Sequence, residues 1–296
     1  MKVLQILPQL NIGGVERGTL DLSKALIHKG HQSFVISGGG VLVDELTQCG
    51  AKHYEIPVHI KSLRTLFLAK RLSETISSID PDIVHVRSRM PAWVNYRAFK
   101  MLQKKPLLVS TFHGLYSFPI YSKVMSFVDH SIAISKTVER YILENYKLDK
   151  GDITVIPRGC DPLEFNNDEI NPVYKANIIE EYPQIVGKKV LTIPGRITKW
   201  KGVAEFIDLL SLLDDDYHGL IVGPTAKSKK KYLNKLQNKV SSLNLEDKIT
   251  FTGSRRDIAN IYKISDVVFN LSQTPEPFGR TMIEAIACGA LSLIHI

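Results

Sequence analysis

Short apolar runs recur along the whole 296-residue chain, and longer segments with helical spacing separate them. That alternation constrains the fold more than any other feature. Two parallel strands need a crossover of a dozen or more residues between them, so the pattern points to βαβ units and parallel sheets. A first series predicts strands at residues 3–7, 33–37, 52–56, 82–86, 107–111, 130–134 and 154–156, with helices at 15–29, 62–78 and 92–104. A second series opens at "KKVLTIPGRI" and predicts strands at 190–194, 219–222, 249–252, 266–270 and 290–294. Between the two, residues 161–187 are polar, carry Pro162, Pro172 and Pro183, and read as an irregular connection. The expectation is two doubly wound, Rossmann-like α/β domains: 1–166, a linker at 167–187, and 188–296. In such sheets ligands bind beyond the carboxyl ends of the strands, so the residues just after each strand matter most.

Bulk properties exclude several classes. With 44% hydrophobic and 23% charged residues the chain has ordinary globular composition. No apolar run reaches the roughly 18 residues of a membrane span. The opening "MKVLQILPQL" is broken by Pro8, is too short for a secretory leader, and reads as the first strand. Cys49, Cys160 and Cys288 are widely spaced and form no CxxC pair, which suits reduced thiols in the cytoplasm. The net charge of +8 is uneven: residues 1–166 hold 21 Lys/Arg against 15 Asp/Glu, a net +6. A basic first half suits an anionic partner such as a phosphate-bearing substrate, an acidic membrane surface or a nucleic acid. The stretch "IKSLRTLFLAKRL" mixes cations with large apolar residues, as a helix lying on such a surface does. The basic segment 227–239 reads as a solvated helix face, and no nucleic-acid partner is expected.

Five strand ends carry candidate chemistry. "QLNIGGVERGTL" follows the first strand, and Gly13 and Gly14 let the backbone approach a ligand at a helix N-terminus, an anion site. It is not GxGxxG, and the second strand ends in "ISGGG" without the acidic residue a ribose needs, so a nicotinamide dehydrogenase is disfavoured. "VSTFHGLY" places His113 at the end of the fifth strand. In "GRITKWKG", Arg196 and Lys201 leave a strand tip in a glycine-bracketed loop, two cations suited to a diphosphate. In "TPEPFGRTMIEAIACG" a helix is expected to open at Pro277, with Phe278 and Gly279 in its first turn and Glu276 just before it; Glu284 follows two turns along. Carboxylates beside such a turn suit sugar hydroxyls. "RSRMPAWVNY" after the fourth strand offers Arg87, Arg89 and Trp93 for an anionic acceptor. The literal DxD runs at 80–82 and 214–216 precede strands, at the wrong end for a ligand, and no HExxH, P-loop or Ser-His-Asp order is present.

Taken in order, "GGVER", "FHG", "IPRGCDPLEF", "GRITKWKG" and "EPFGRTMIEA" resemble the GT-B glycosyltransferases, and specifically the retaining family 4, over nearly the whole chain. The resemblance implies two Rossmann-like domains facing a cleft and a metal-independent transfer from a nucleotide-diphosphate sugar, with no further cofactor. It implies that Arg196 and Lys201 grip the diphosphate, that Glu276, Phe278 and Gly279 contact the donor sugar, and that Glu284 holds the ribose. Gly14 then approaches the phosphates, and His113 lies near sugar and acceptor. The acceptor expected is a glycan or lipid-linked envelope intermediate such as one of lipopolysaccharide, met in the cytoplasm or at the inner membrane face. One departure is "RGCD", where the family's usual Asn and β-branched residue are Arg158 and Cys160. The family continues past the strand begun by "GALSLIHI", so the second domain is expected to be incomplete. An inactive remnant that only binds nucleotide or a partner is therefore an alternative, and a phosphorylase or epimerase of the same fold is a weaker one.

Overall fold

The computed structural model describes residues 1–11, 13–60, 67–116 and 119–294. Part of the "IKSLRTLFLAKRL" stretch and the start of the helix expected at 62–78 lie outside the described residues. Contacts divide the chain into two compact units, Met1–Pro157 and Arg158–Ile296.

In the first unit, apolar residues at strand spacing build a seven-stranded parallel sheet in the order β3-β2-β1-β4-β5-β6-β7. Its strands are β1 (Lys2–Ile6), β2 (Gln32–Ser37), β3 (Lys52–Glu55), β4 (Ile83–Val86), β5 (Leu107–Phe112), β6 (His130–Ala133) and β7 (Ile153–Val155). The helices between them are α1 (Gly14–His28), α2 (Val43–Gln48), α3 (Ala69–Ile79), α4 (Arg89–Phe99), α5 (Pro119–Ser122) and α6 (Lys136–Asn145). Leu4, Ile6, Val35, Ile36, Val84 and Val86 of the central strands are almost wholly buried, as expected of a sheet covered on both faces. The strand order reverses between β1 and β4, which pair in parallel from Val3↔Ile83 to Ile6↔Val86. Helix α4 begins earlier than its apolar period predicts, because Pro91 falls in the first turn, where a missing N–H costs nothing.

The second unit carries a five-stranded parallel sheet in the order β10-β9-β8-β11-β12. Its strands are β8 (Lys189–Pro194), β9 (Tyr217–Val222), β10 (Ile249–Gly253), β11 (Val267–Asn270) and β12 (Leu291–Ile294). Its helices are α7 (Pro172–Glu181), α8 (Val203–Leu212), α9 (Lys230–Ser242), α10 (Ile258–Lys263) and α11 (Arg280–Ala287). Here the order reverses between β8 and β11.

Residues 161–187 are not irregular throughout. Asn171 accepts a hydrogen bond from the Val173 amide at 2.9 Å and Pro172 fills the first helical position, so α7 forms from a segment whose prolines read as breakers. Ile178, Tyr182 and Ile185 then pack on Val190, Leu220, Val222 and Ile261. The domain boundary expected at 166 meets a contact division at Pro157/Arg158, and Phe165 packs on Tyr262, with ring centroids 6.3 Å apart. Among the described residues no helix is long and apolar enough to cross a membrane.

Candidate active site

The strand order reverses between β8 and β11, and the carboxyl ends of two adjacent parallel strands at such a reversal are where sheets of this kind hold ligands. The loops leaving those strands carry Arg196 and Lys201 on one side and Glu276 on the other. The β8 loop is pinned from both flanks: Ile197 N donates to Pro224 O at 3.1 Å, and Gln273 N to Trp200 O at 2.7 Å. Gly202 closes the loop with φ +74°, and a Cβ there would lie 2.1 Å from the Leu271 carbonyl oxygen, so this junction requires glycine.

These contacts bring the Lys201 ammonium onto Glu276 Oε1 as an ion pair, with each side chain 17% exposed. The Trp200 ring lies 4.4 Å from the same ammonium. Glu276 Oε1 also sits 2.6 Å from Ser272 Oγ, which is 2.6 Å from Asn270 Oδ1. Arg196 is exposed and has no ion-pair partner among the described residues. The cation pair expected at this loop is therefore one anchored and one solvent-facing group.

Helix α11 starts at Arg280 rather than at Pro277. Gly279 adopts φ +79°, a left-handed conformation that ends the preceding bend and caps the helix, so Pro277 and Phe278 stand outside it. Glu284 is consequently one turn into the helix, not two. It is only 8% exposed, and Oε1 accepts from Arg280 Nε at 2.7 Å. Burial pushes its carboxyl pKa up, Arg280 opposes that, and the charge of Glu164 adds to it. The Tyr262 hydroxyl lies beside it and is itself pushed well up by burial. Glu276 and Glu284 are thus differently placed: one on a lysine in a loop, the other buried in a helix. Cys160, in the departing "RGCD", packs against the cluster of Phe165, Tyr262 and Cys288.

In the first unit, the β1 and β4 ends flank the other order reversal. Gly13 is extended and precedes α1, and the space around Gly14 is open, with no atom within 4 Å of an added Cβ. Arg87, expected to face an acceptor, is 4% exposed, and its Nη1 donates to Gln5 Oε1 at 2.7 Å. Gln5 Nε2 in turn donates to Thr19 O at 3.1 Å and Ser23 Oγ at 3.0 Å, so Arg87 braces β4 against β1 and α1. Arg89 lies differently: its guanidinium sits over the rings of Tyr116 and Tyr121 at 4.7 and 5.5 Å. Trp93 stacks on Tyr121 and donates from Nε1 to the Tyr121 carbonyl at 2.9 Å. His113 follows β5, half-buried, with its amide 3.4 Å from the Tyr116 hydroxyl.

Sequence reasoning missed Asn270, Ser272, Tyr262 and Arg280. The signal for the first two is a polar residue closing the apolar strand "VVFNLS"; the signal for the Arg87 brace is Gln5 inside "VLQIL".

Two parallel-sheet Rossmann-like units, the second with a cation–carboxylate site at its order reversal, define the GT-B class of sugar transferases. Residues 12–163 match the family model described as Glycosyltransferase Family 4, and residues 175–295 match Glycosyl transferases group 1, so the chain belongs to that family. A crystal structure of a glycosyltransferase from Rickettsia africae ESF-5 is 36% identical, covers 99% of this chain and 78% of that one, and superposes with a TM-score of 0.87. The mannosylfructose-phosphate synthase of Agrobacterium fabrum is 34% identical over 178 residues, which is 57% of this chain and 38% of that relative's length. Anabaena Alr3699/HepE, crystallised with UDP and glucose, shares the fold at a TM-score of 0.84 and 20% identity, covering 99% of this chain and 80% of its own.

Proposed function

We propose that this chain transfers a sugar from a nucleotide-diphosphate sugar to a glycan or lipid-linked acceptor, with retention at the anomeric carbon and without a metal ion. The observation that carries the reading is the Lys201–Glu276 ion pair at the β8/β11 reversal, beside the Gly279 turn. As the glycosidic bond to the donor breaks, the leaving diphosphate gains negative charge. Lys201 and Arg196, with the N-terminus of α11, are fixed or nearby positive groups that stabilise that charge. Glu276, released from Lys201 by the incoming diphosphate, is then a hydrogen-bond acceptor for the sugar hydroxyls, with the Phe278 and Gly279 backbone beside it. Glu284 accepts from the ribose hydroxyls in this reading. The acceptor is proposed to lie on the first unit near His113 and the Arg89–Tyr116–Tyr121 group, with an anionic headgroup drawn to Arg89.

The UDP and UDP-glucose complexes of the distant Anabaena fold neighbour support the donor class. The test is turnover with UDP- and GDP-sugars. Lys201→Ala and Glu276→Ala are expected to lower it by roughly a hundredfold or more, because each leaves the other's charge or the diphosphate unmatched. EDTA is expected to leave the rate unchanged. Rates like wild type in both variants would sink the assignment, and an inverted product anomer by NMR would sink the retaining mechanism.

A further inference from the structure

Asn270 closes β11 at the order reversal, and its side chain is directional. Its Oδ1 takes the Ser272 amide at 3.2 Å and faces Ser272 Oγ at 2.6 Å. The opposite amide orientation would set Nδ2 against the Ser272 N–H, so Oδ1 is held on that side. Nδ2 is thereby turned the other way. Asn270 is 5% exposed, and among the described residues Nδ2 has no hydrogen-bond partner. A Cβ added to Gly279 would meet Nδ2 at 3.8 Å, which places this donor against the turn that opens α11. The first amides of that helix have no partner within the helix, and its dipole is positive at that end.

A buried amide donor left unmatched keeps its desolvation cost until a ligand supplies the acceptor. Here Nδ2 and the Arg280 and Thr281 amides gather beside one glycine turn, and all are donors. A group that satisfies several donors at a helix N-terminus is an anion. We infer that Asn270 is a further donor-substrate contact, in which Nδ2 donates to a phosphate oxygen of the nucleotide diphosphate. Its Oδ1 accepts from the Ser272 amide, which leaves the single Ser272 hydroxyl proton for Glu276, so the Asn270–Ser272 turn relates the placing of that phosphate to the position of the sugar-facing carboxylate. The inference rests on the nucleotide-sugar reading above and deepens it.

Isothermal titration of the full chain with UDP, UDP-glucose, GDP and GDP-mannose tests it. Asn270→Asp keeps an oxygen for the Ser272 amide but sets a carboxylate against the phosphate. It is expected to weaken UDP and UDP-glucose, or the guanine pair, by roughly tenfold or more, and Asn270→Ala by roughly fivefold. Affinities of both variants within twofold of wild type overturn the inference, and so does an Asn270→Asp variant that melts lower but binds normally, since Asn270 is then only a brace. A loss confined to the nucleotide sugars, with free diphosphates unaffected, overturns the phosphate assignment. Wild-type protein that binds none of the four overturns the nucleotide-sugar reading itself, a result distinct from all of these.

Discussion

Glu284 sits where burial disfavours its charge, and that makes its contribution measurable. The desolvated carboxylate is paired with Arg280 at 2.7 Å, and the Tyr262 hydroxyl lies beside it. Buried pairs of this kind contribute little net stability, because the desolvation of both ions offsets their attraction. Glu284→Gln removes a carboxylate whose charge burial disfavours and leaves Arg280, with its side chain 21% exposed, able to reach water, so it is expected to stay within about 1 kcal/mol of wild type in denaturant unfolding. In the proposed donor-binding role, its affinity for a nucleotide sugar is expected to fall roughly tenfold, because a ribose hydroxyl would lose a charged acceptor. A variant that unfolds more easily by over about 2 kcal/mol yet binds normally would make Glu284 structural. The two arginines after β4 separate in the same way. Arg87→Met leaves Gln5, Thr19 and Ser23 in a broken buried network and is expected to cost about 2–4 kcal/mol. Arg89→Met, which loses mainly ring contacts, is expected to cost about 1 kcal/mol and to raise the acceptor KM. Equal unfolding midpoints for the two would contradict that division.

At the level of elements, the loops are set by their junctions. Gly202 joins the 3-10 turn Lys199–Lys201 to α8 in a left-handed conformation, with Leu271 backbone in the way of any side chain. Gly202→Ala combines backbone strain with a contact that forces the β8 and β11 loops apart. A loss of about 3 kcal/mol or more, with a fall in turnover, is expected in melting and rate measurements. Gly14, by contrast, starts α1 with open space around it, so Gly14→Ala is expected to raise stability by about 0.5–1 kcal/mol. A fall in melting temperature there would show an unrecognised strain. Most strands were legible in the sequence because they are short apolar runs ended by glycine, proline or a polar residue, a local property; β3 (KHYE), exposed along most of its length, is the exception. The start of α11 was not. Proline favours a first helical position, so "EPFG" reads as a helix opening at Pro277, and only the left-handed Gly279 moves the start to Arg280. The Lys201–Glu276 pair spans 75 positions, and the Arg87–Gln5 brace spans 82; both depend on which strands become neighbours, which periodicity does not carry.

For the whole molecule, acid is the condition under which these local costs combine. His218 lies on β9, 1% exposed, with Nε2 2.9 Å from Thr250 Oγ1, and Gln184 donates to the same hydroxyl at 2.7 Å. Burial, aided by the nearby charge of Lys188, pulls its pKa down to about 4 despite the opposing effect of a hydrogen bond the ring donates to the Asp247 backbone. An unfolded histidine titrates near 6.5, so between these values the unfolded chain binds a proton that the folded chain refuses. The stability tied to the neutral ring is complete above about pH 6.5 and is lost as the pH falls toward 4. Between pH 7 and pH 4.5 that loss is on the order of 2 kcal/mol. The chain already carries a formal +8 at neutral pH, so each proton taken up in acid adds to self-repulsion in the folded state. Denaturant midpoints should therefore decline from pH 7 to pH 4.5, and His218→Gln, which retains a hydrogen-bonding amide for Thr250, should flatten part of that decline. A His218→Gln profile parallel to wild type over this range would place the acid sensitivity elsewhere in the molecule.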